Sequence, residues 1–381
     1  MGSASGSHAP NDQEKLTKHR RGHGLLFLMG VNFAFILEQV WQITMQRLAV
    51  TVVIGLAMLA LGGRRCAVAD ETEPDLSVTR TISVTKTSRR YMPFNVPLKT
   101  IGGSQVWTDY RFRDGYRLQR HALTRHWRVL DKNDVRRAWG NRVECQRKLD
   151  QLRPAAAVGQ SPHYVILIHG LMRTSRCMLP LEQSLAESGQ PNVIRYSYAS
   201  TRSSMGDHAE ALRELMEDLP ADATFSFVGH SMGNIVVRRM IGDLQRDDDP
   251  CEILNRCKSM VMLGPPNQGA SIARNLAPTG LYGIITGKGG LELGPQWDAF
   301  AEKLAIPPFP FVIVAGDVSD KPVKNPLVAG DGDFIVSLDE VELEGREALY
   351  RLPVLHSFLM KDAAAMKICV DFIGENSADQ R

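Results

Sequence analysis

The sequence predicts an α/β fold in which a mainly parallel β-sheet carries helices on both faces, preceded by a basic N-terminal extension. From residue 164 onwards, short apolar segments alternate with longer segments whose apolar residues recur at helical spacing. Continuous apolar runs are typical of strands buried on both faces, and their alternation with helices is typical of a parallel sheet. The 381-residue chain is 44% hydrophobic and 23% charged, which excludes a wholly disordered chain and a multi-span membrane protein.

The first 69 residues are predicted to be a leader that takes no part in the fold. A 14-residue apolar run at 48–61 follows Arg47 and precedes the small residues 67–69 (Ala-Val-Ala). A short basic start, an apolar core and an A-x-A ending are typical of a secretory signal peptide. We therefore expect a signal peptide at 45–69, an over-called translation start at 1–44, and a protein exported to the periplasm or secreted.

The alternative for this region is an N-terminal membrane anchor formed by residues 24–61. A membrane span needs about 20 consecutive, mostly apolar residues. Glu38 and Gln39 interrupt the only way of joining the two apolar stretches of the segment. The length argument therefore favours the signal peptide over the anchor.

Residues 70–160 are predicted to form the basic extension. Residues 79–153 contain 18 basic and six acidic side chains, a net charge of +12 in a chain whose total is +3. One interpretation is a peripheral contact with anionic surfaces such as lipid headgroups. The favoured interpretation is a segment that packs across the acidic face of the larger domain with its aromatic side chains buried. No nucleic-acid-binding motif is present, so no nucleic-acid partner is expected.

Helical spacing also predicts a helix over 134–149.

The main domain is predicted at residues 161–376. In open parallel sheets the loops after the carboxyl ends of the strands carry the chemistry, so the functional residues are expected in those loops. Apolar runs predict six strands, at 164–168, 193–198, 224–228, 259–263, 311–315 and 348–354. Helical periodicity predicts helices at 177–187, 207–219 and 234–244 and a closing helix from residue 357.

The segment 229–233 (Gly-His-Ser-Met-Gly) follows the third predicted strand and opens the next helix. This is the context in which a G-x-S-x-G motif forms a nucleophile elbow. The tight turn strains the serine backbone, and the two glycines let strand and helix approach each other. Ser231 would then stand at the top of the sheet, near the positive end of the helix dipole. The alternative is a glycine-rich turn without chemistry.

Together with four other segments in order along residues 164–374, this motif resembles the α/β-hydrolase family, specifically bacterial lipases and esterases. The resemblance implies a serine hydrolase that cleaves carboxylic esters, in particular lipid or acyl esters, through an acyl-enzyme intermediate. It implies a small-molecule or lipid ester as the partner and neither a metal nor an organic cofactor. The segments that carry it are 168–171 (IHGL), 228–234 (VGHSMGN), 264–269 (GPPNQG), 330–336 (GDGDFIV) and 355–358 (LHSF).

His356 and Asp333 are predicted to complete a catalytic triad with Ser231. A serine hydroxyl needs a base, and His356 follows the last predicted strand. The histidine in turn needs an acid that fixes its tautomer. Asp333 is preferred because its glycine-flanked turn resembles the acid-bearing turn of the family, while Asp317 and Asp331 remain rivals.

Two backbone N–H groups are expected to bind the oxyanion. The residue after the nucleophile supplies one, Met232, and the residue after His169-Gly170 supplies the other, Leu171. The glycine-rich residues 270–310 are interpreted as a lid-like insertion over an apolar substrate, with a helix and a long surface loop as the alternative.

Two further predictions concern side chains outside the triad. Cys251 and Cys257 lie six residues apart, and in an exported protein they would either form a disulfide or remain two free thiols. His208 lies at a predicted helix start, where a solvated or capping histidine is expected.

Two other functions are compatible with the sequence. The same triad could transfer an acyl group or cleave a thioester, because the motif does not encode the acceptor. A non-catalytic binding protein on a hydrolase fold would use the +12 segment for a polyanionic partner, but it would have no reason to keep Ser231, His356 and Asp333 together. The oligomeric state is not encoded in these patterns.

Overall fold

The computed structural model describes residues 98–100, 105–153, 162–279, 281–321, 325–328 and 330–377. All of them lie in one compact unit that spans Arg89–Arg381. The leader, with its signal-peptide and membrane-anchor interpretations, and the first part of the basic extension lie outside the described residues. Within the described part of the chain, no helix is long and apolar enough to cross a membrane.

The described part of the basic extension folds into a five-stranded antiparallel sheet followed by a helix. Across the sheet the order of the strands is first, fifth, fourth, third and second, so the second strand forms one edge. The strands are β1 (Leu98–Lys99), β2 (Trp107–Arg113), β3 (Tyr116–His121), β4 (Trp127–Leu130) and β5 (Val135–Gly140), and the helix is α1 (Arg142–Leu152).

The helix predicted over 134–149 is therefore wrong in its first half. Asp131 accepts hydrogen bonds from the N–H groups of Asn133 (2.9 Å) and Val135 (3.0 Å), which closes the turn before β5. Asn141 caps α1 by accepting from the N–H of Glu144 at 2.9 Å. The apolar residues whose spacing predicted one helix therefore belong to two elements, the strand β5 and the helix α1.

Cations of this sheet contact acidic side chains of the main domain. The guanidinium of Arg113 donates to both carboxylate oxygens of Asp218, at 2.9 and 2.7 Å. Arg111 also pairs with Asp218, and Arg142 of the adjoining helix α1 pairs with Glu214. The sheet has its own small core, which consists of Leu118, Trp127, Val129, Ala138, Cys145 and Leu149.

A parallel sheet of six strands forms the centre of the main domain. All six predicted strands are present, with ends within two residues of the prediction. In chain order they are β6 (His163–Ile168), β7 (Val193–Tyr196), β8 (Thr224–His230), β9 (Cys257–Leu263), β10 (Phe311–Gly316) and β11 (Ala348–Leu352). Across the sheet the order is β11-β10-β9-β8-β6-β7.

Helices cover both faces of this sheet. Successive side chains of a strand point to opposite faces, so each strand packs against helices on both sides. The long helices are α2 (Leu179–Glu187), α3 (Met205–Glu217), α4 (Met232–Arg246) and α10 (Ala363–Ser377). Ile166 and Ile168 of β6 pack in the core formed with α3 and α4, whereas Val165 and Leu167 pack in the core formed with α2 and α10. The shorter helices between them are α5 (Ile253–Arg256), α6 (Ser271–Leu276), α7 (Leu281–Leu293), α8 (Trp297–Ala301) and α9 (Leu338–Val341).

The segment 270–310 contains three of these helices, α6, α7 and α8. Gly287 interrupts α7 with φ 66° and ψ −156°, a conformation that favours glycine. A Cβ atom at Gly287 would lie 1.8 Å from Thr201 O, and one at Gly289 would lie 3.1 Å from Met232 Sδ. Helix α7 therefore packs directly against the residues after β7 and against the start of α4.

Cys251 and Cys257 are both free thiols, so the structure shows the second of the two alternatives for this pair. Cys257 is buried, and its thiol donates to Ile253 O at 3.2 Å. The side chain of Cys251 is exposed.

Candidate active site

Ser231 occupies a strained turn between β8 and α4, with φ 53° and ψ −126°. Its N–H donates to Leu263 O of the neighbouring strand at 2.8 Å. Glycine is required on both sides of it: a Cβ at Gly229 would lie 2.2 Å from Asn234 Oδ1, and one at Gly233 would lie 2.4 Å from Ile168 O. The strain and the close approach are those of a nucleophile elbow, in which a serine side chain projects from the end of the sheet.

Asp333 and His356 meet although 23 residues separate them in the chain. His356 Nδ1 lies 2.6 Å from Asp333 Oδ2, and the His356 N–H donates to Asp333 O at 3.0 Å. Both side chains are almost completely buried, with exposed fractions of 6% and 1%. With a proton on Nδ1 shared with the carboxylate, Nε2 keeps its lone pair and can accept a proton.

The loop around Asp333 is held by its own carboxylate. Asp333 Oδ1 accepts from the N–H groups of Ile335 (3.1 Å) and Val336 (2.8 Å). The rival Asp317 instead accepts from the N–H and the hydroxyl of Ser319, at 3.1 and 2.6 Å. The other rival, Asp331, is exposed. Of the three predicted acids, the structure brings Asp333 to His356.

The ring of His356 lies beside the nucleophile elbow. His230, the residue before Ser231, donates from Nε2 to His356 O at 3.0 Å, and the two imidazole rings have centroids 4.8 Å apart. A Cβ at Gly264 would lie 3.0 Å from His356 Nδ1. Gly264 directly follows Leu263, whose carbonyl binds Ser231. The packing of β8 against β9 therefore brings the serine and the histidine to one edge of the sheet.

Leu171 and Met232 place two backbone donors next to Ser231. A Cβ at the preceding Gly170 would lie 3.0 Å from Ser231 Cβ, so the loop at residues 170–173 begins in direct contact with the serine. Met232 is the first residue of α4, where N–H groups lack intrahelical partners. Among the described residues, neither the Leu171 nor the Met232 N–H donates a hydrogen bond. Both donors can therefore bind a developing oxyanion.

Tyr198 and two histidines form a buried cluster behind this loop. His169 stacks on Tyr198 with centroids 4.2 Å apart, and His208 contacts the same ring edge-to-face at 4.6 Å. Burial lowers the pKa of His169 to about 4 and that of His208 to about 3. The expectation of a solvated or capping His208 is wrong, because Ser204 and Asp207 form the capping box of α3 and the histidine turns into the core.

Three side chains that the sequence analysis missed bind this loop or the residue before it. Tyr198 OH donates to His169 O at 2.5 Å, Ser200 Oγ accepts from the Met172 N–H at 3.2 Å, and Gln105 Nε2 donates to Met172 O at 2.6 Å. Tyr198 and Ser200 follow the carboxyl end of β7, where functional residues of parallel sheets gather. No sequence signal singles out Gln105, because its contact spans 67 residues.

The family model described as "Putative serine esterase (DUF676)" matches residues 159–264, which contain Leu171, Ser231 and Met232. The parallel sheet, the elbow after β8 and the order of the site residues agree with that match. The chain has an α/β-hydrolase fold. Asp333 and His356 lie beyond the matched segment, so their assignment depends on the contact between their side chains.

Solved structures similar to this chain include esterases and lipases. The mature form of the lipase BlEst2 from Bacillus licheniformis has a TM-score of 0.42 and 17% identity over 58% of this chain and 95% of that one. The metagenomic carboxyl esterase MGS0156 has a TM-score of 0.41 and 14% identity over 56% and 72%. Phospholipase PlaB from Legionella pneumophila, in complex with thio-NAD, has a TM-score of 0.36 and 19% identity over 47% and 44%.

A comparison with curated proteins gave no significant match. Among the described residues, no group of three or more His, Cys, Asp or Glu side chains is arranged to hold a metal ion. In general terms, the family match supports a serine ester hydrolase, and the finer assignment depends on the geometry of the chain itself.

Proposed function

We propose that this α/β hydrolase cleaves carboxylic esters with Ser231 as nucleophile, His356 as general base and acid, and Asp333 as the orienting carboxylate. The observation that carries the proposal is the 2.6 Å contact between His356 Nδ1 and Asp333 Oδ2 beside a strained serine elbow. A buried imidazole fixed in this way can only present Nε2 to the serine hydroxyl. A binding protein would gain nothing from such an arrangement.

The reaction divides into acylation and deacylation. His356 Nε2 takes the hydroxyl proton as Ser231 Oγ attacks the ester carbonyl carbon, and the oxyanion accepts hydrogen bonds from the N–H groups of Leu171 and Met232. The tetrahedral intermediate collapses, and the alcohol leaves with the proton from His356. A water molecule, activated by the same histidine, then attacks the acyl-enzyme and releases the acid.

The acyl part of the substrate is proposed to be a lipid-like chain. Helix α7 packs against the start of α4, where Gly289 approaches Met232 Sδ, so it borders the elbow. The sequence of α7 is largely apolar, and Ile285 is 38% exposed on it. An apolar helix next to the nucleophile favours substrates with an alkyl chain over small polar esters.

A fluorophosphonate probe and a panel of p-nitrophenyl esters test this function. The wild-type protein should be labelled at Ser231 and should hydrolyse the esters, with medium or long acyl chains preferred over acetate. Ser231→Ala should abolish both labelling and turnover while the thermal unfolding curve stays close to that of the wild type. Wild-type rates in the Ser231→Ala protein, or the absence of labelling in the wild type, would contradict the proposal.

A further inference from the structure

The loop at residues 170–173, which carries the oxyanion donor Leu171, has no regular secondary structure of its own. Met172 lies in this loop in the left-handed region, with φ 58°. Its carbonyl accepts from Gln105 Nε2 at 2.6 Å, and its N–H donates to Ser200 Oγ at 3.2 Å. The residue next to the oxyanion donor is therefore held on both backbone groups by side chains from elsewhere in the chain.

One of those side chains, Gln105, lies two residues before the edge strand β2 of the antiparallel sheet, and the other lies in the segment 197–200 after β7. This segment is itself bound to the edge strand β2. Asp109 N donates to Ser197 O at 2.8 Å, and Ser197 N donates back to Asp109 Oδ2 at 2.8 Å. The Ala199 N–H donates to Thr108 Oγ1 at 3.2 Å. Both hydrogen bonds that hold Met172 therefore depend on residues 105–109: Gln105 makes one directly, and the segment that carries Ser200 is bound by Thr108 and Asp109.

The bonds between β2 and the segment 197–200 are buried and themselves supported. Asp109 is 1% exposed and Thr108 is 6% exposed. The second carboxylate oxygen of Asp109 accepts from Gln119 Nε2 at 2.6 Å, and Gln119 accepts from Arg128 Nε at 2.8 Å. Polar groups bonded in a buried network have few alternative conformations. The edge of the antiparallel sheet is therefore a rigid support for the loop.

We propose that the edge of the antiparallel sheet and the turn before it support the active site, with Gln105 as the positioning residue that holds the Leu171 N–H toward the oxyanion. This inference rests on the proposed function. Gln105 touches neither substrate nor the reacting atoms, and it acts through Met172. Misplacement of catalytic groups by about 1 Å costs up to about 100-fold in rate, and loss of one oxyanion donor costs about 10²–10³-fold.

The substitution Gln105→Glu tests the proposal, because it keeps the shape of the side chain but removes the N–H donor and places an oxygen against Met172 O. We expect kcat per fluorophosphonate-labelled site to fall about 10- to 100-fold, with KM changed by less than about threefold. The inhibition constant of a trifluoromethyl ketone, whose adduct needs the oxyanion donors, should rise by the same factor as kcat/KM falls. Ser200→Ala, which removes the other bond to Met172, should act in the same direction.

Gln146→Glu is the matched control, since it makes the same chemical change on α1 of the same sheet unit, at a side chain that donates to Asp150. It should leave kcat and the inhibition constant unchanged. If Gln105→Glu stays within about twofold of the wild type, or if Gln146→Glu loses as much activity, the positioning role is wrong. A merely structural role would lower thermal stability without moving kcat per labelled site.

Hydrogen–deuterium exchange of the peptide that covers residues 169–173 provides a readout without turnover. The N–H groups of this peptide should exchange faster in Gln105→Glu than in the wild type and in Gln146→Glu. If the wild-type protein hydrolyses no ester and binds no fluorophosphonate, the proposed function fails, and the exchange rates alone decide whether the sheet supports the loop. Unchanged exchange in Gln105→Glu overturns the inference in either case.

Discussion

Asp333 uses both oxygens of its carboxylate, and this explains how one side chain both shapes its loop and orients His356. Oδ1 accepts from two backbone N–H groups of its own turn, and Oδ2 lies 2.6 Å from His356 Nδ1. A Cβ at Gly316 would lie 2.6 Å from Asp333 Cβ, so the loop packs tightly on the end of β10. The acid is therefore held rigidly, as an orienting group must be.

Replacement of Asp333 by Asn should lower kcat by up to about 10⁴-fold, because the amide can support the wrong tautomer of His356. Asp317→Asn is the matched control: Asp317 bonds to Ser319 and has no contact with the histidine, so kcat should stay within a few fold of the wild type. Steady-state kinetics on a p-nitrophenyl ester measure both variants. A severe loss in Asp317→Asn together with a mild one in Asp333→Asn would make Asp317 the acid.

The part of the site that could be predicted from the sequence is the part encoded by local patterns. Ser231 lies in a five-residue motif between a strand and a helix, and Asp333 lies in a short turn with a glycine on its amino side. Tyr198, Ser200 and Gln105 could not be predicted, because their roles depend on hydrogen bonds that span 28 to 67 residues. His208 was placed wrongly because the sequence does not show which side of a helix start faces the core.

The same distinction holds for the elements. The inner strands of the parallel sheet could be predicted because they are largely apolar on both faces. The strands β2 to β5 were missed because arginines cover aromatic rings on them: Arg128 lies 4.0 Å from the ring centroid of Trp107, and Arg136 lies 5.0 Å from that of Trp139. Long cationic side chains bury apolar surface with their stems, so the apolar alternation that marks a strand is absent from the sequence.

Helix α7 depends on Gly287 for its position beside the elbow. Gly287→Ala adds a Cβ atom only 1.8 Å from Thr201 O and strains a backbone with φ 66°. The helix must shift away from the segment after β7, at a cost of about 1–3 kcal/mol. We expect kcat/KM for a long-chain ester to fall about tenfold or more, as roughly 1–2 kcal/mol of apolar contact is lost, while acetate hydrolysis changes little.

Gly374→Ala in α10 serves as the control, because a Cβ at that position meets nothing within 4 Å. It should stabilise the protein slightly, by up to about 1 kcal/mol, through helix propensity, without changing chain-length preference. Activities on acetate and on a long-chain ester, measured side by side, separate the two variants. Equal losses on both esters in Gly287→Ala would mean that α7 does not contact the acyl chain.

For the molecule as a whole, the buried histidines behind the site predict acid sensitivity. His169 and His208 have pKa values of about 4 and about 3 because burial disfavours their charged forms. An unfolded histidine has a pKa of about 6.5, so the unfolded state binds more protons whenever the pH falls below that value. The stability contribution of these neutral histidines is complete above about pH 6.5 and is lost as the pH falls toward 3–4.

At pH 5 each of the two histidines should reduce the free energy of unfolding by about 2 kcal/mol relative to pH 7, or about 4 kcal/mol together. That is a large part of the 5–15 kcal/mol typical of a folded domain.

Urea unfolding at pH 7 and pH 5 measures the loss in the wild type. His208→Gln should make the pH-dependent loss about 2 kcal/mol smaller, since one buried titrating group is gone, whereas His126→Gln, at an exposed position, should leave it unchanged. A wild-type stability that is flat from pH 7 to pH 5 would mean that His169 and His208 gain their protons without unfolding, and that the cluster behind the loop at residues 170–173 admits charge in the folded state.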